Sequence, residues 1–148
     1  MSRLLGPIAA RLRKFAGERR RFPRYKTQRR VRLIFDLSAA ELKSGAGATA
    51  QHQLTFAGRT RDLSETGLAI FVNSLSVGGY DLGVVGRAVR VDLELPTGPV
   101  HISAAVVRYE RLRKKRAEGD HLIAVRITEM SDREWVRLVR YMRTVRGA

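Results

Sequence analysis

Ala88-Val89-Arg90-Val91-Asp92-Leu93-Glu94-Leu95 alternates apolar and charged residues from Val89 to Leu95 without a break. A period of two means that one face of the segment meets a core and the other meets water, so this is a half-buried strand. Pro96-Thr97-Gly98-Pro99 then supplies a turn, and residues 100–109 return as the next strand. Further on, residues 111–119 read as a charged hairpin tip and residues 122–127 close the series. Working backwards, residues 31–35, 53–61 and 68–72 are strands, and residues 73–86 are a connection rich in glycine. Ser131 and Glu134 have capping-box spacing, and Trp135, Leu138, Val139 and Met142 recur on one helical face. Six strands separated by turns and followed by one helix predict an all-β fold. It is a six-stranded antiparallel β-barrel over residues 31–130, capped by a C-terminal α-helix over 131–148 with Trp135 as core filler.

The chain has 148 residues, enough for one domain with a real core, and 44% of them are hydrophobic. Its formal charge of +15 calls for an anionic partner, whether nucleotide, nucleic acid, acidic lipid or acidic protein. That charge is uneven, because residues 1–32 carry twelve Lys or Arg against Glu18 alone. Without cysteine the chain has no disulfide, thiolate metal site or cysteine nucleophile, which suits a reducing cytoplasm. No apolar run approaches the ~20 residues that span a bilayer.

Residues 1–18 place Leu4, Leu5, Ile8, Leu12 and Phe15 on one stripe, predicting a short amphipathic basic helix. Packing on the barrel or on a partner helix is the expected role, with contact at a membrane surface as the alternative. Residues 19–30 follow as a basic linker in which Pro23 forbids a continuing helix. Ser38 and Glu41 have capping-box spacing for one or two helical turns, which run into the small residues 45–50. Residues 36–51 therefore read as a mobile loop insertion with nothing to anchor the small-residue stretch.

Two motifs carry the chemistry. Arg20-Arg21-Phe22-Pro23-Arg24 reads R-x-x-x-R, and Asp62-Leu63-Ser64-Glu65-Thr66-Gly67 reads D-x-S-x-x-G. With 24 arginines in the chain, about four matches to the first pattern arise by composition alone. Arg133 and Arg137 make a second one, inside the C-terminal helix. The D/N-x-S-x-x-G pattern is far rarer, with roughly 0.03 chance occurrences expected. Asp36-Leu37-Ser38-Ala39-Ala40-Glu41 starts identically and then lacks the glycine.

In this order and spacing the two motifs resemble the ligand signature of the PilZ family, small β-barrels that bind the bacterial second messenger cyclic di-GMP. The resemblance covers roughly residues 19–130 and includes Gly86 with the strand Val89 to Pro96, Ala104-x-Val106-Val107-Arg108, and Val125-Arg126-Ile127. Ala124 stands where the family often has glycine, and the 36–51 insertion is longer than usual. The resemblance implies a PilZ-like barrel that is a receptor and not an enzyme, with cyclic di-GMP as ligand and no cofactor. It also implies a regulated protein partner in exopolysaccharide synthesis, motility or pilus function. Arg20, Arg21, Arg24, Asp62, Ser64 and Gly67 become the ligand-binding residues, and the basic Arg19 bears on whether one ligand or an intercalated pair is held.

The residue types suit that ligand. Guanidinium groups meet phosphate oxygens or guanine O6 and N7 as planar forks, and they stack on purine faces. An ionised Asp62 is acceptor-only and matches the N1–H and N2–H donors of a guanine edge. Ser64 offers a hydroxyl to the base or to neighbouring backbone, and Gly67 allows a positive φ or a close approach of backbone to ligand. The alternative at this turn is an ordinary Asx-turn, with Asp62 bonding two residues ahead and Gly67 closing the bend. A second functional class, a basic barrel holding single-stranded nucleic acid, is suggested by charge and strand count. Its weakness is that few aromatics interleave with the basic strands as stacking platforms. A third class is an interaction module without a ligand, against which the intact motifs stand. His52, His101 and His121 lack metal-ligand spacing, and nothing in the sequence points to catalysis.

Overall fold

The computed structural model describes residues 23–39, 41, 53–77 and 79–147. The elements in chain order are β1 (Tyr25–Lys26), β2 (Arg30–Asp36), β3 (Gln53–Leu63), β4 (Gly67–Val72), β5 (Ser76–Val77), β6 (Tyr80–Asp81), β7 (Ala88–Leu95), β8 (Gly98–Arg116), β9 (Gly119–Glu129) and α1 (Asp132–Gly147). The main sheet runs β3-β2-β7-β8-β9-β4, and β4 pairs back onto β3. Six antiparallel strands thus close on themselves, which removes the free edges an open sheet would expose.

Alternation decides what goes inside. Val31, Leu33 and Phe35 of β2 point inward with Val89, Val91, Leu93 and Leu95 of β7, while Arg30, Arg32 and Asp36 face outward. Trp135, Leu138 and Met142 of α1 join the same core, so the helix covers the barrel as its apolar stripe requires. Ser131 caps it by accepting a hydrogen bond from Glu134 N at 3.2 Å, while the Glu134 carboxylate accepts one from His101 N on β8 at 2.7 Å. Arg137 donates to Pro99 O at 3.1 Å and Gly98 O at 2.7 Å, clasping the β7–β8 turn. The second R-x-x-x-R match therefore contributes a structural clasp.

Three expectations change. The segment 19–30, read as linker, contains β1, a two-residue strand paired to β3 through Tyr25↔Leu63 and Lys26↔Asp62. Residues 111–116, read as a hairpin tip, continue β8, and the turn shrinks to Ala117–Glu118. Gly119 lets that turn fold inward: its φ is +146°, and a Cβ there would lie 2.3 Å from Val72 O. The connection 73–86 carries a small hairpin, β5 with β6.

Of the 36–51 insertion, residues 36–39 and 41 are described. Its front is fixed: Ser38 and Glu41 form the expected reciprocal capping box, with Ser38 N to Glu41 Oε1 at 2.8 Å and Glu41 N to Ser38 Oγ at 3.2 Å. Arg87 grips the Glu41 carboxylate at 2.7 and 2.9 Å and donates to Asp36 O at 2.7 Å. The helix predicted over 1–18 and the small-residue stretch 45–50 lie outside the described residues. Among the described residues no helix is long and apolar enough to cross a membrane.

Candidate functional site

Strand β3 presents Asp62 through an irregularity. It pairs with β4 as Thr60↔Ile70 and then Asp62↔Ala69, so Arg61 is an extra residue. Regular alternation would send Thr60 in, Arg61 out and Asp62 in, placing a carboxylate in an apolar barrel. The bulge resets the count. Leu63 takes the inward position, fully buried opposite Leu68, and Asp62 comes out beside Ala69.

Thr60 organises the other flank. Between the β1 and β2 pairings three residues, Thr27–Arg29, face two, Thr60–Arg61, so the N-terminal side bulges too. The buried Thr60 hydroxyl accepts from Arg29 N at 2.8 Å and donates to Thr27 O, while Thr60 N donates to Arg29 O at 2.9 Å. Arg29 donates to Glu94 O at 2.8 Å and lies over the Tyr141 ring, and the Thr27 and Tyr141 hydroxyls meet at 2.6 Å. Clamped in this way, the incoming chain runs antiparallel to the end of β3 and delivers Arg24 to Asp62.

The Asp62 carboxylate therefore sits among cations. Arg61 Nε donates to Oδ2 at 2.8 Å, and Arg24 Nη1 stands 3.7 Å from Oδ1. Lys26 is its register partner. The Asp62 side chain is 10% exposed and that of Arg24 63% exposed, so a fixed acceptor faces a cation that water already reaches. Arg61 was not among the residues singled out from the sequence. Its adjacency to Asp62 was the available signal, but a bulge is needed before neighbours in a strand share a side.

The turn after Asp62 is built on Ser64. Its amide donates to Gly67 O at 2.9 Å, and its hydroxyl receives Thr66 N at 3.3 Å and Gly67 N at 3.2 Å. Ser64, not Asp62, makes the side-chain bonds of this turn, so the Asx-turn alternative does not hold and the carboxylate is left facing outward. The Ser64 hydroxyl thus serves neighbouring backbone groups. Gly67 is not among the positive-φ glycines. It is needed because a Cβ would lie 2.3 Å from Val125 O of β9, a close approach to the barrel's own backbone. Ile127 N, donating to Thr66 O at 2.8 Å, pins the turn to β9 from the other side.

The fold thus brings together Arg24, Asp62, Ser64 and Gly67, and Arg19, Arg20 and Arg21 lie outside the described residues. Next to Asp62 the outer faces of β4 and β9 carry a small apolar cluster, Ala69, Phe71 and Leu122. A carboxylate with two guanidiniums at its rim can accept paired N–H donors from a planar ring while the cations meet negative charge on the same ligand.

The sequence profile of the PilZ domain matches residues 18–144, which takes in both motifs and the whole barrel. The chain belongs to the PilZ family. No curated protein matches it significantly. Among solved structures, the PilZ domain of YcgR from Escherichia coli, determined with c-di-GMP, superposes with a TM-score of 0.57 at 14% identity, over 88% of this chain and 93% of that one. The Bacillus subtilis inhibitor of motility MotI/DgrA gives 0.58 at 16% identity over 87% of this chain and 51% of its own, so this PilZ chain spans about half the length of that protein. The PilZ domain of CeSA from a cellulose-synthesizing bacterium gives 0.52 at 14%, covering 84% and 98% respectively. At such identities the likeness to these structures is one of fold.

Proposed function

We propose that this PilZ domain is a receptor for cyclic di-GMP, and that ligand binding resets its N-terminal segment to regulate a protein partner in exopolysaccharide synthesis, motility or pilus function. The observation that supports this most strongly is the meeting of the two motifs. Arg24 and Asp62 stand 3.7 Å apart only because β1 pairs with β3. The YcgR PilZ domain, of the same fold, was solved with c-di-GMP.

In this reading Asp62 accepts the N1–H and N2–H donors of one guanine. Arg24, with Arg20 and Arg21 ahead of it, meets the phosphates and the guanine faces or edges. Ser64 and Gly67 act by holding the turn that keeps Asp62 in place. Arg19, next to the motif, sets whether a single dinucleotide or an intercalated pair is bound.

The energetics favour an exchange of partners. The Arg24–Asp62 contact is long, at 3.7 Å, and its guanidinium is open to water, so it contributes about 0–1 kcal/mol. Each charge-assisted hydrogen bond gained to the ligand contributes about 1.5–3 kcal/mol. Arg24 therefore leaves the carboxylate at little cost when a diphosphate ring arrives. Its movement, upstream of the Thr60 clamp, changes the path of the preceding chain while the barrel stays fixed.

Isothermal titration with cyclic di-GMP tests this. The parent protein is expected to bind at around micromolar concentration, and Arg24→Ala to bind roughly tenfold or more weakly. Absence of heat from the parent, or an Arg24→Ala variant that binds as tightly, would contradict the reading.

A further inference from the structure

Arg30 of β2 and Arg59 of β3 are direct cross-strand partners on the outer face of the barrel, with Arg32 next along β2. Like charges placed directly opposite destabilise a strand pair, and the usual remedy is a carboxylate between them. Among the described residues none of these three arginines makes a salt bridge or side-chain hydrogen bond: Asp92, the cross-strand partner of Arg32 on β7, is instead bonded to His101 at 2.7 Å, and Glu94 and Glu118 line the same cleft.

The surface is concave. A cleft of about 660 Å³ runs over β2 and β3 with the three arginines on its wall, and Ala117 and Glu118 of the β8–β9 turn also line it. A smaller hollow of about 320 Å³ shares Arg30, Arg59 and Glu94 and continues past Gln28 and Arg29. The motif residues Arg24, Asp62, Ser64 and Gly67 line neither hollow.

We propose that this cleft is a docking site for an extended acidic segment of a protein partner. Three features select that occupant. The arginines on β2 are two residues apart, a strand repeat of about 6–7 Å, the same repeat at which an extended peptide shows alternate side chains on one face. Guanidinium forks match carboxylates in planar pairs. Among the described residues no aromatic side chain lines the cleft to stack on bases, which disfavours a single-stranded nucleic acid as the occupant.

The cleft is also well placed to follow the dinucleotide site. It shares Arg30 with the smaller hollow, whose wall at Arg29 belongs to the segment that Thr60 clamps, and Arg29 is bonded to the Glu94 carbonyl. The arginine pair thus trades stability of the free barrel for affinity. From the proposed function this inference takes only that a protein partner exists, and the dinucleotide is not needed for its test.

The test is fluorescence anisotropy of a labelled peptide of alternating glutamate and serine against the full chain, with labelled oligo-dT of similar charge as a second probe. The parent is expected to bind the peptide more tightly than oligo-dT, and the Arg30→Gln/Arg59→Gln double variant to lose about tenfold in peptide affinity. The same variant should melt no lower than the parent, because a repulsion has been removed, and should keep the parent's response to cyclic di-GMP. Peptide affinity unchanged in the variant, or absent in the parent, overturns the proposal. Tighter oligo-dT binding that the same substitutions abolish assigns the cleft to nucleic acid and also overturns it. A parent that binds the peptide but not cyclic di-GMP defeats the proposed function and leaves this inference standing.

Discussion

Two carboxylates on this barrel are nearly buried and held by arginine, yet they are built for opposite ends. Glu41, with its side chain 5% exposed, accepts both arms of Arg87 at 2.7 and 2.9 Å and the Ser38 amide at 2.8 Å. Asp62, 10% exposed, has one close guanidinium nitrogen at 2.8 Å and one distant one at 3.7 Å. The Glu41 pair is bidentate and closed by its neighbours, so it fixes structure. Asp62 keeps acceptor capacity and a partner that water reaches, so it is open to a ligand. Charge and burial are similar at the two sites, and saturation of the acceptor is what separates them.

Breaking the closed pair should have the largest effect. Removing one partner of a buried ion pair leaves an uncompensated charge, so Arg87→Ala is expected to destabilise the fold by about 3 kcal/mol in denaturant melts. Its affinity for cyclic di-GMP, corrected for unfolded protein, should stay that of the parent. The open site should respond the other way. Asp62→Ala removes two hydrogen bonds to a charged acceptor and should weaken cyclic di-GMP binding about a hundredfold. Its stability should stay within about 1 kcal/mol of the parent. If Asp62→Ala lost stability and Arg87→Ala lost affinity, the contrast between the two carboxylates would be reversed.

Acid sharpens the same contrast. The hydrogen bonds from Arg87 hold the Glu41 carboxyl at about 2, below its ordinary 4.5, against the opposing effect of burial. A depressed folded value means that the stabilisation is complete above pH 4.5 and is lost as pH falls towards 2. Melts of the parent should drop across that window, and Glu41→Gln should flatten the drop. The smallest effect belongs to Ser64, whose hydroxyl serves the turn. Ser64→Ala should lower stability by about 1 kcal/mol and weaken ligand binding less than Asp62→Ala does.

What could be read from the sequence follows from which forces are local. Strand β7 was predicted with both its ends correct, because Val89 to Leu95 alternate strictly and each residue's face is set by its neighbours. The helix was as plain, since Ser131 and Glu134 mark its start and Trp135, Leu138 and Met142 its buried side. The D-x-S-x-x-G turn was legible because its bonds lie within six residues. Strand β1 was not, because a two-residue pairing at Tyr25 and Lys26 has no period to show. It exists because Thr60, far along the chain, accepts and donates to the backbone there. The end of β8 was hidden for a different reason: residues 111–116 are charged, and only pairing with β9 makes them a strand. At the candidate site, Asp62 and Arg24 could be named from their motifs, but the role of Arg61 depends on a bulge and that of Gly67 on Val125 of another strand. The anchoring of Glu41 by Arg87 is likewise a long-range contact, which capping-box spacing alone does not announce.

An amide spectrum of the labelled protein, titrated with cyclic di-GMP, tests the central claim most directly. The account predicts the largest shifts at residues 24–27 and 60–67, where the incoming chain meets the end of β3, with the amides of Ser38 and Glu41 unmoved. A spectrum that stays unchanged at saturating ligand, or shifts that centre away from Arg24 and Asp62, would contradict it.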